Sequence, residues 1–170
     1  TKKRLPGGRL RIVQLSDMHP GASLKRKDIP GLAGRIQALN PDMIVLTGDI
    51  FDENVDHETF ASYCKMLGEL HAPYGKWYVY GNHDIKRYWN APSYTKEDLE
   101  EQLKKGDIRI LEDESALAGP GEEIRVTGRK DWILNGGSRL NTRELIPPSP
   151  LYTVVLDHEP RDLKDVAATG

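Results

Sequence analysis

Short apolar runs alternate with amphipathic stretches through the first half of the chain, and that alternation predicts an α/β fold. Leu10 to Leu15 reads as a strand. Asp28 to Leu39 follows as a helix, with Ile29, Leu32, Ala33 and Ile36 at helical spacing and Asn40-Pro41 to stop it. Met43 to Leu46 is continuously apolar, as expected of a strand covered on both faces. His57 to Leu70 reads as a second amphipathic helix, with Phe60, Tyr63, Cys64 and Leu67 on one side, and Trp77 to Tyr80 as a third strand. Beyond them, Thr95 caps a helix that ends at Gly106. Ile108 to Leu111 and Ile124 to Val126 are β-like, separated by the turn signal Gly119-Pro120-Gly121. A last strand, Leu151 to Leu156, follows Pro147, Pro148 and Pro150, and Pro160 to Ala168 opens a final helix. No repeat, low-complexity tract or linker divides the chain, so residues 1–170 read as one domain.

Four of these strands run directly into polar clusters: Ser16-Asp17-Met18-His19, Thr47-Gly48-Asp49, Gly81-Asn82-His83-Asp84 and Asp157-His158. In open α/β sheets, sites form beyond the carboxyl ends of the strands, and neighbouring strands lie only about 4.8 Å apart. One aspartate after a strand is ordinarily a turn or cap residue, and one histidine is ordinarily structural. His57 and His71, near helix ends, belong to that ordinary class. His19, His83 and His158 instead lie at strand ends beside acidic residues, and together they outweigh it. Carboxylates and imidazoles without a thiolate suit divalent Mn, Fe or Zn in a reactive centre better than a structural zinc. Gly48 and Gly81 let the backbone turn and come close to a bound group.

Composition narrows the partners. The formal net charge is −2 and the basic residues are scattered, so no nucleic-acid partner is expected. The basic cluster Thr1-Lys2-Lys3-Arg4 reads as a solvated end. Cys64 is the single cysteine; it has no internal disulfide partner, and its place on an apolar helix stripe predicts a buried thiol. No apolar run approaches the roughly 18 residues of a membrane span. The chain starts at Thr1 without a methionine, so membrane association is expected only through a segment upstream, and a cytoplasmic setting otherwise.

Asp17-Met18-His19, Gly48-Asp49-Ile50-Phe51-Asp52, Gly81-Asn82-His83-Asp84 and the later His158 resemble the successive motifs of calcineurin-like metallophosphoesterases. Leu15-Ser16-Asp17-Met18-His19 and Leu156-Asp157-His158-Glu159-Pro160 are most similar to the bacterial, membrane-anchored phosphodiesterase branch. The resemblance implies a four-layer α/β/β/α sandwich with two mixed sheets. It also implies two divalent metal ions: Asp17 and His19 on the first, Asn82 and His158 on the second, and Asp49 bridging both. Such ions share a water whose pKa falls to about 7. By the same resemblance His83 protonates the leaving oxygen, Asp84 holds the other ring nitrogen of His83, and Asp52 supports the centre. Arg129 and Arg139 could hold a substrate phosphate, but solvated surface arginines are the expected reading.

The implied activity is hydrolysis of phosphate esters, diesters before monoesters, on a small-molecule or lipid-linked substrate. The alternatives are a metal-dependent nuclease and a catalytically silent metal-binding or partner-binding domain. The family carries a further Gly-His-x-His motif shortly after the segment matching Ala167-Ala168-Thr169-Gly170, where this chain stops. The resemblance therefore implies a domain incomplete at its C-terminus, impaired in activity and prone to associate through the cut edge.

Overall fold

The computed structural model describes residues 5–21, 23–85 and 93–169; the basic cluster at Thr1 to Arg4 lies outside them. Strands β1 (Ile12–Leu15), β2 (Met43–Thr47), β3 (Lys76–Val79) and β4 (Ile108–Ile110) form one sheet in that order, parallel throughout. Between them run helices α1 (Ile29–Ala38), α2 (His57–Glu69), the four-residue α3 (Asn82–Ile85) and α4 (Lys96–Lys105). Strands β5 (Glu114–Ala118), β6 (Ile124–Gly128) and β7 (Tyr152–Leu156) form a second sheet, with β5 antiparallel and β7 parallel to β6. Short helix α5 (Thr142–Leu145) precedes β7, and α6 (Leu163–Ala168) follows it. The α/β class stands. Among the described residues, mixed strand direction is confined to the second sheet.

Side-chain alternation along the strands builds two cores. Val13, Ile44, Leu46, Tyr78 and Tyr80 face the helices and meet Ile36, Phe60, Tyr63, Leu67, Leu99 and Leu103. Leu99 and Leu103 are essentially inaccessible to solvent, and burying each stabilises the fold by about 2 kcal/mol. The intervening positions Met43, Val45, Trp77 and Val79 face the second sheet and meet Ala116, Ala118, Ile124, Val126 and Leu156. All five residues of β2 are buried, as its unbroken apolar run predicts. On the outer face of the second sheet, Ser115 and Thr127 share a 2.8 Å hydrogen bond beneath α5, where Leu145 and Ile146 are buried. The order is therefore helices, sheet, sheet, then the α5 segment.

Helix ends follow their chemistry. The Asp56 carboxylate accepts the Thr59 N–H at 2.8 Å and caps α2. Thr95 and Asp98 form a reciprocal capping box on α4, which ends at Gly106. Two short helices and β5 carry no clear sequence pattern. In β5 the inward positions are Ala116 and Ala118 while Leu117 stands 44% exposed, so its hydrophobic pattern is inverted.

Candidate metal centre

The first sheet's strands end together, and their pairing continues into the loops. Asp17 N–H donates to the Gly48 carbonyl at 3.1 Å, and Met18 N–H donates to the Asp49 carbonyl at 2.9 Å. Met18 is buried in the core, so its neighbours Asp17 and His19 are turned toward the opposite side. Asp17, His19 and Asp49 all hold left-handed backbone, with φ of 52°, 41° and 51°. Aspartate and histidine tolerate that region better than most residues, yet each instance is strained by about 1–2 kcal/mol. The strain brings one donor atom from each of the three within 4.8 Å of the others.

His158 arrives from the end of β7, in the second sheet. Its Nδ1 donates to the Thr47 carbonyl at 2.9 Å, which aims Nε2 at Asp49 Oδ2, 3.4 Å away. On the other side of Asp49, His19 Nε2 stands 3.8 Å from the same oxygen, while His19 Nδ1 lies 3.2 Å from Asp52. Asp49 is 5% exposed, and its other oxygen accepts the His83 backbone N–H at 2.8 Å. A Cβ on Gly48 would stand 2.5 Å from His158 Nδ1, and one on Gly81 would overlap the Asp49 carboxylate. Both glycines are therefore required by close approach. Asn82, half-buried, opens α3 immediately after Gly81. The His83 ring lies edge-on to that of His19, with centroids 5.3 Å apart, and its side chain is 30% exposed.

Residues 10–167 match the family described as calcineurin-like phosphoesterase. The chain belongs to that family. It is 27% identical over 152 residues to the metallophosphoesterase YkuE of Bacillus subtilis, covering 88% of this chain and 51% of YkuE. A transmembrane protein with a metallophosphoesterase domain from Danio rerio is 35% identical over 131 residues, covering 75% of this chain and 26% of that protein. The UDP-2,3-diacylglucosamine pyrophosphatase LpxG of Chlamydia trachomatis is 39% identical over 79 residues, 46% of this chain and 24% of LpxG. The chain thus spans about half the length of YkuE and about a quarter of the other two. Among the described residues of this phosphoesterase, no helix is long and apolar enough to cross a membrane.

Two expectations about supporting residues are corrected. The expected bond from Asp84 to the His83 ring is replaced by one from Glu53, whose Oε2 lies 3.1 Å from His83 Nδ1. Asp84 is 1% exposed and serves the backbone instead. Its Oδ2 accepts N–H groups of Asp49 and Gly81 at 3.0 and 2.8 Å, and its Oδ1 accepts that of Phe51 at 3.0 Å. Burial pushes the Asp84 carboxyl up to about 6; the N–H donors from Gly81 and Phe51 oppose the shift and Asp49 adds to it. Nor are Arg129 and Arg139 solvated: their side chains are 1% and 2% exposed. Arg139 donates to Asp157 at 2.9 Å, and both arginines reach Asp162 at 3.1 Å. They clamp the loop that carries His158.

The charges at the centre balance without a cation only through a proton. Burial works against protonation of His158, but its bonds to Asp49 and the Thr47 carbonyl outweigh this and hold its pKa at about 9. Burial likewise raises Asp49, and the hydrogen bonds from His158 and the His83 N–H overcome it, leaving the carboxyl below its usual range. A buried carboxylate flanked by two imidazoles at 3.4 and 3.8 Å is a donor set that a divalent cation satisfies. Asp52, beside His19, and Thr47, beside His158, orient the rings as outer partners of metal-binding histidines do. Cys64, by contrast, is a core thiol that burial pushes up to about 12.

Proposed function

We propose that this phosphoesterase domain hydrolyses phosphodiesters in a centre that takes two divalent ions. Asp17, His19 and Asp49 would hold the first ion, and Asp49, Asn82 and His158 the second. The observation that carries this reading is Asp49, whose Oδ2 stands between His19 Nε2 and His158 Nε2, imidazoles delivered by different sheets. When bound, such ions lower the pKa of a water toward about 7 and offset the phosphoryl charge. Manganese, iron and zinc all accept this mixture of nitrogen and oxygen.

The chain's own chemistry completes the reaction. His83, at the rim and anchored through its N–H to Asp49, would give a proton to the departing alkoxide. A small-molecule or lipid-linked phosphate ester is the substrate class; the printed name of LpxG, a pyrophosphatase of a diacylated sugar nucleotide, supports the lipid-linked arm.

The test is direct. The protein is stripped with chelator, reloaded with manganese, iron or zinc, and assayed on alkyl and nitrophenyl diesters, monoesters and pyrophosphates. Two ions per chain and a preference for diesters are expected. Asp49→Ala should lose both ions, whereas His83→Ala should keep them and lose about 10²–10⁴-fold in kcat on alkyl diesters. A wild-type protein that binds no divalent ion, or a His83→Ala variant as metal-poor as Asp49→Ala, would overturn the assignment.

A further inference from the structure

Asp52 and Glu53 are consecutive, both buried, and each meets the Nδ1 of a different histidine. Asp52 Oδ2 lies 3.2 Å from His19 Nδ1, and Glu53 Oε2 lies 3.1 Å from His83 Nδ1. The Glu53 side chain is 2% exposed, where an ionisable group seldom sits without a partner. Its position is fixed from several directions. Ile50, Phe51 and Val55 are buried in the core around it. Phe51 N–H donates to Asp84, Asn54 N–H donates to Asp52 Oδ1 at 2.8 Å, and Ser93 Oγ donates to the Val55 carbonyl at 2.7 Å.

We propose that Glu53 is the positioning residue of His83, holding Nδ1 so that proton transfer to the leaving oxygen runs through Nε2. The inference rests on the proposed esterase reading and assigns its proton donor a partner. An imidazole that is 30% exposed has several rotamers and two neutral tautomers open to it. A carboxylate at Nδ1 selects one rotamer, and of the tautomers selects Nδ1–H. In the step, the P–O bond to the alcohol breaks as oxygen from water bonds to phosphorus. The alkoxide takes the Nε2 proton of the imidazolium and leaves as the alcohol. The ring is left as the Nδ1–H tautomer that Glu53 accepts from, and solvent returns its proton.

Two measurements on Glu53→Ala and Glu53→Gln test this, after circular dichroism shows that each is folded. The first is the nitrogen-15 imidazole spectrum of the metal-free protein, with His83 assigned by its loss in His83→Gln. Wild type and Glu53→Gln, whose amide oxygen still accepts, should show protonated Nδ1, and Glu53→Ala should shift toward Nε2–H. The second is kcat on alkyl and nitrophenyl diesters. Glu53→Ala should lose about 10–100-fold on the alkyl ester and several-fold less on the nitrophenyl ester, whose leaving group needs little proton. KM and metal content should hold, and Glu53→Gln should recover most of the rate. Equal loss on both esters, metal loss in step with activity, or an unchanged tautomer in Glu53→Ala would each overturn the proposal. If Glu53→Ala does not fold, Glu53→Asp, one methylene shorter, takes its place with the same expectations. A wild type without esterase activity defeats the reading of function, while the imidazole spectrum still decides the role of Glu53.

Discussion

Arg139 is where stability and the proposed second ion meet. Replacing it with alanine removes a buried guanidinium that bonds Asp157 at 2.9 Å and Asp162 at 3.1 Å and lies over the Trp132 ring at 5.8 Å. Asp157, 9% exposed on its side chain, would then keep only Arg129, whose Nε is 3.9 Å away. Breaking a buried pair by deleting one partner costs about 3–5 kcal/mol, and losing the ring contact about 0.5–1 more. The remaining Arg129 offsets part of this, so a net loss of about 3–4 kcal/mol is expected. At roughly 2–4 °C per kcal/mol for a chain of this size, Tm should fall by about 6–16 °C. The control is Arg139→Met with Asp157→Leu, which removes both charges and should restore much of the loss. Because the clamp holds the His158 loop, Arg139→Ala should also weaken one of two metal-binding steps in titration calorimetry while sparing the other. A single variant within 1 kcal/mol of wild type in urea unfolding would refute the clamp.

The remaining predictions concern the centre itself. In chelator, His158 has a folded pKa of about 9 against an ordinary value of about 6.5, because its bonds to Asp49 and Thr47 outweigh burial. A folded pKa raised in this way gives stability that is complete below about pH 6.5 and lost as pH rises through about 9, to the extent of about 3 kcal/mol. Urea unfolding of metal-free protein at pH 6 and pH 9.5 should show that loss in wild type but not in His158→Gln; an equal slope in both would remove the ion pair from the account. Gly81→Ala should displace the Asp49 carboxylate, so metal content should fall sharply in elemental analysis while α2 and α4, remote from the clash, keep the helical circular dichroism signal. Full metal occupancy in that variant would show the loop to be more compliant than its contacts indicate.

Much of this architecture was legible because the ligating candidates follow apolar runs, and apolar runs place strands. Met43 to Leu46 could hardly be anything but a covered strand, and Asp49 follows it within three residues. The supporting residues were hidden for a physical reason. Whether Asp84 or Glu53 reaches the His83 ring depends on how the turn after β2 folds back over α3, and local spacing carries no record of that. The signal for Glu53 was the acidic doublet Asp52-Glu53 within a stretch whose neighbours Ile50, Phe51 and Val55 are core residues. Arginines are ordinarily exposed, so Arg129 and Arg139 read as surface; aspartates 18 and 23 residues beyond Arg139 permit their burial. β5 escaped because its buried side chains are alanines.

The candidate centre also explains why two sheets are needed. The first sheet supplies Asp17, His19 and Asp49 from loops already joined by backbone hydrogen bonds, so their spacing is set by strand pairing. His158 comes from β7, and its distance to Asp49 is set instead by how closely the sheets stack through Val45, Val79, Val126 and Leu156. Gly48 is the point of contact. With no Cβ in the way, the His158 ring lies against the backbone that carries Asp49 and bonds the Thr47 carbonyl directly. Asp49 is fixed in turn at its own N–H by Asp84 and at Oδ1 by the His83 N–H, leaving Oδ2 facing both imidazoles. A methylene-scale change in the inter-sheet core would therefore move His158 relative to Asp49 while leaving the Asp17, His19 and Asp49 group intact. The proposed ions should accordingly separate in affinity under core substitutions, the His158-bound ion responding first.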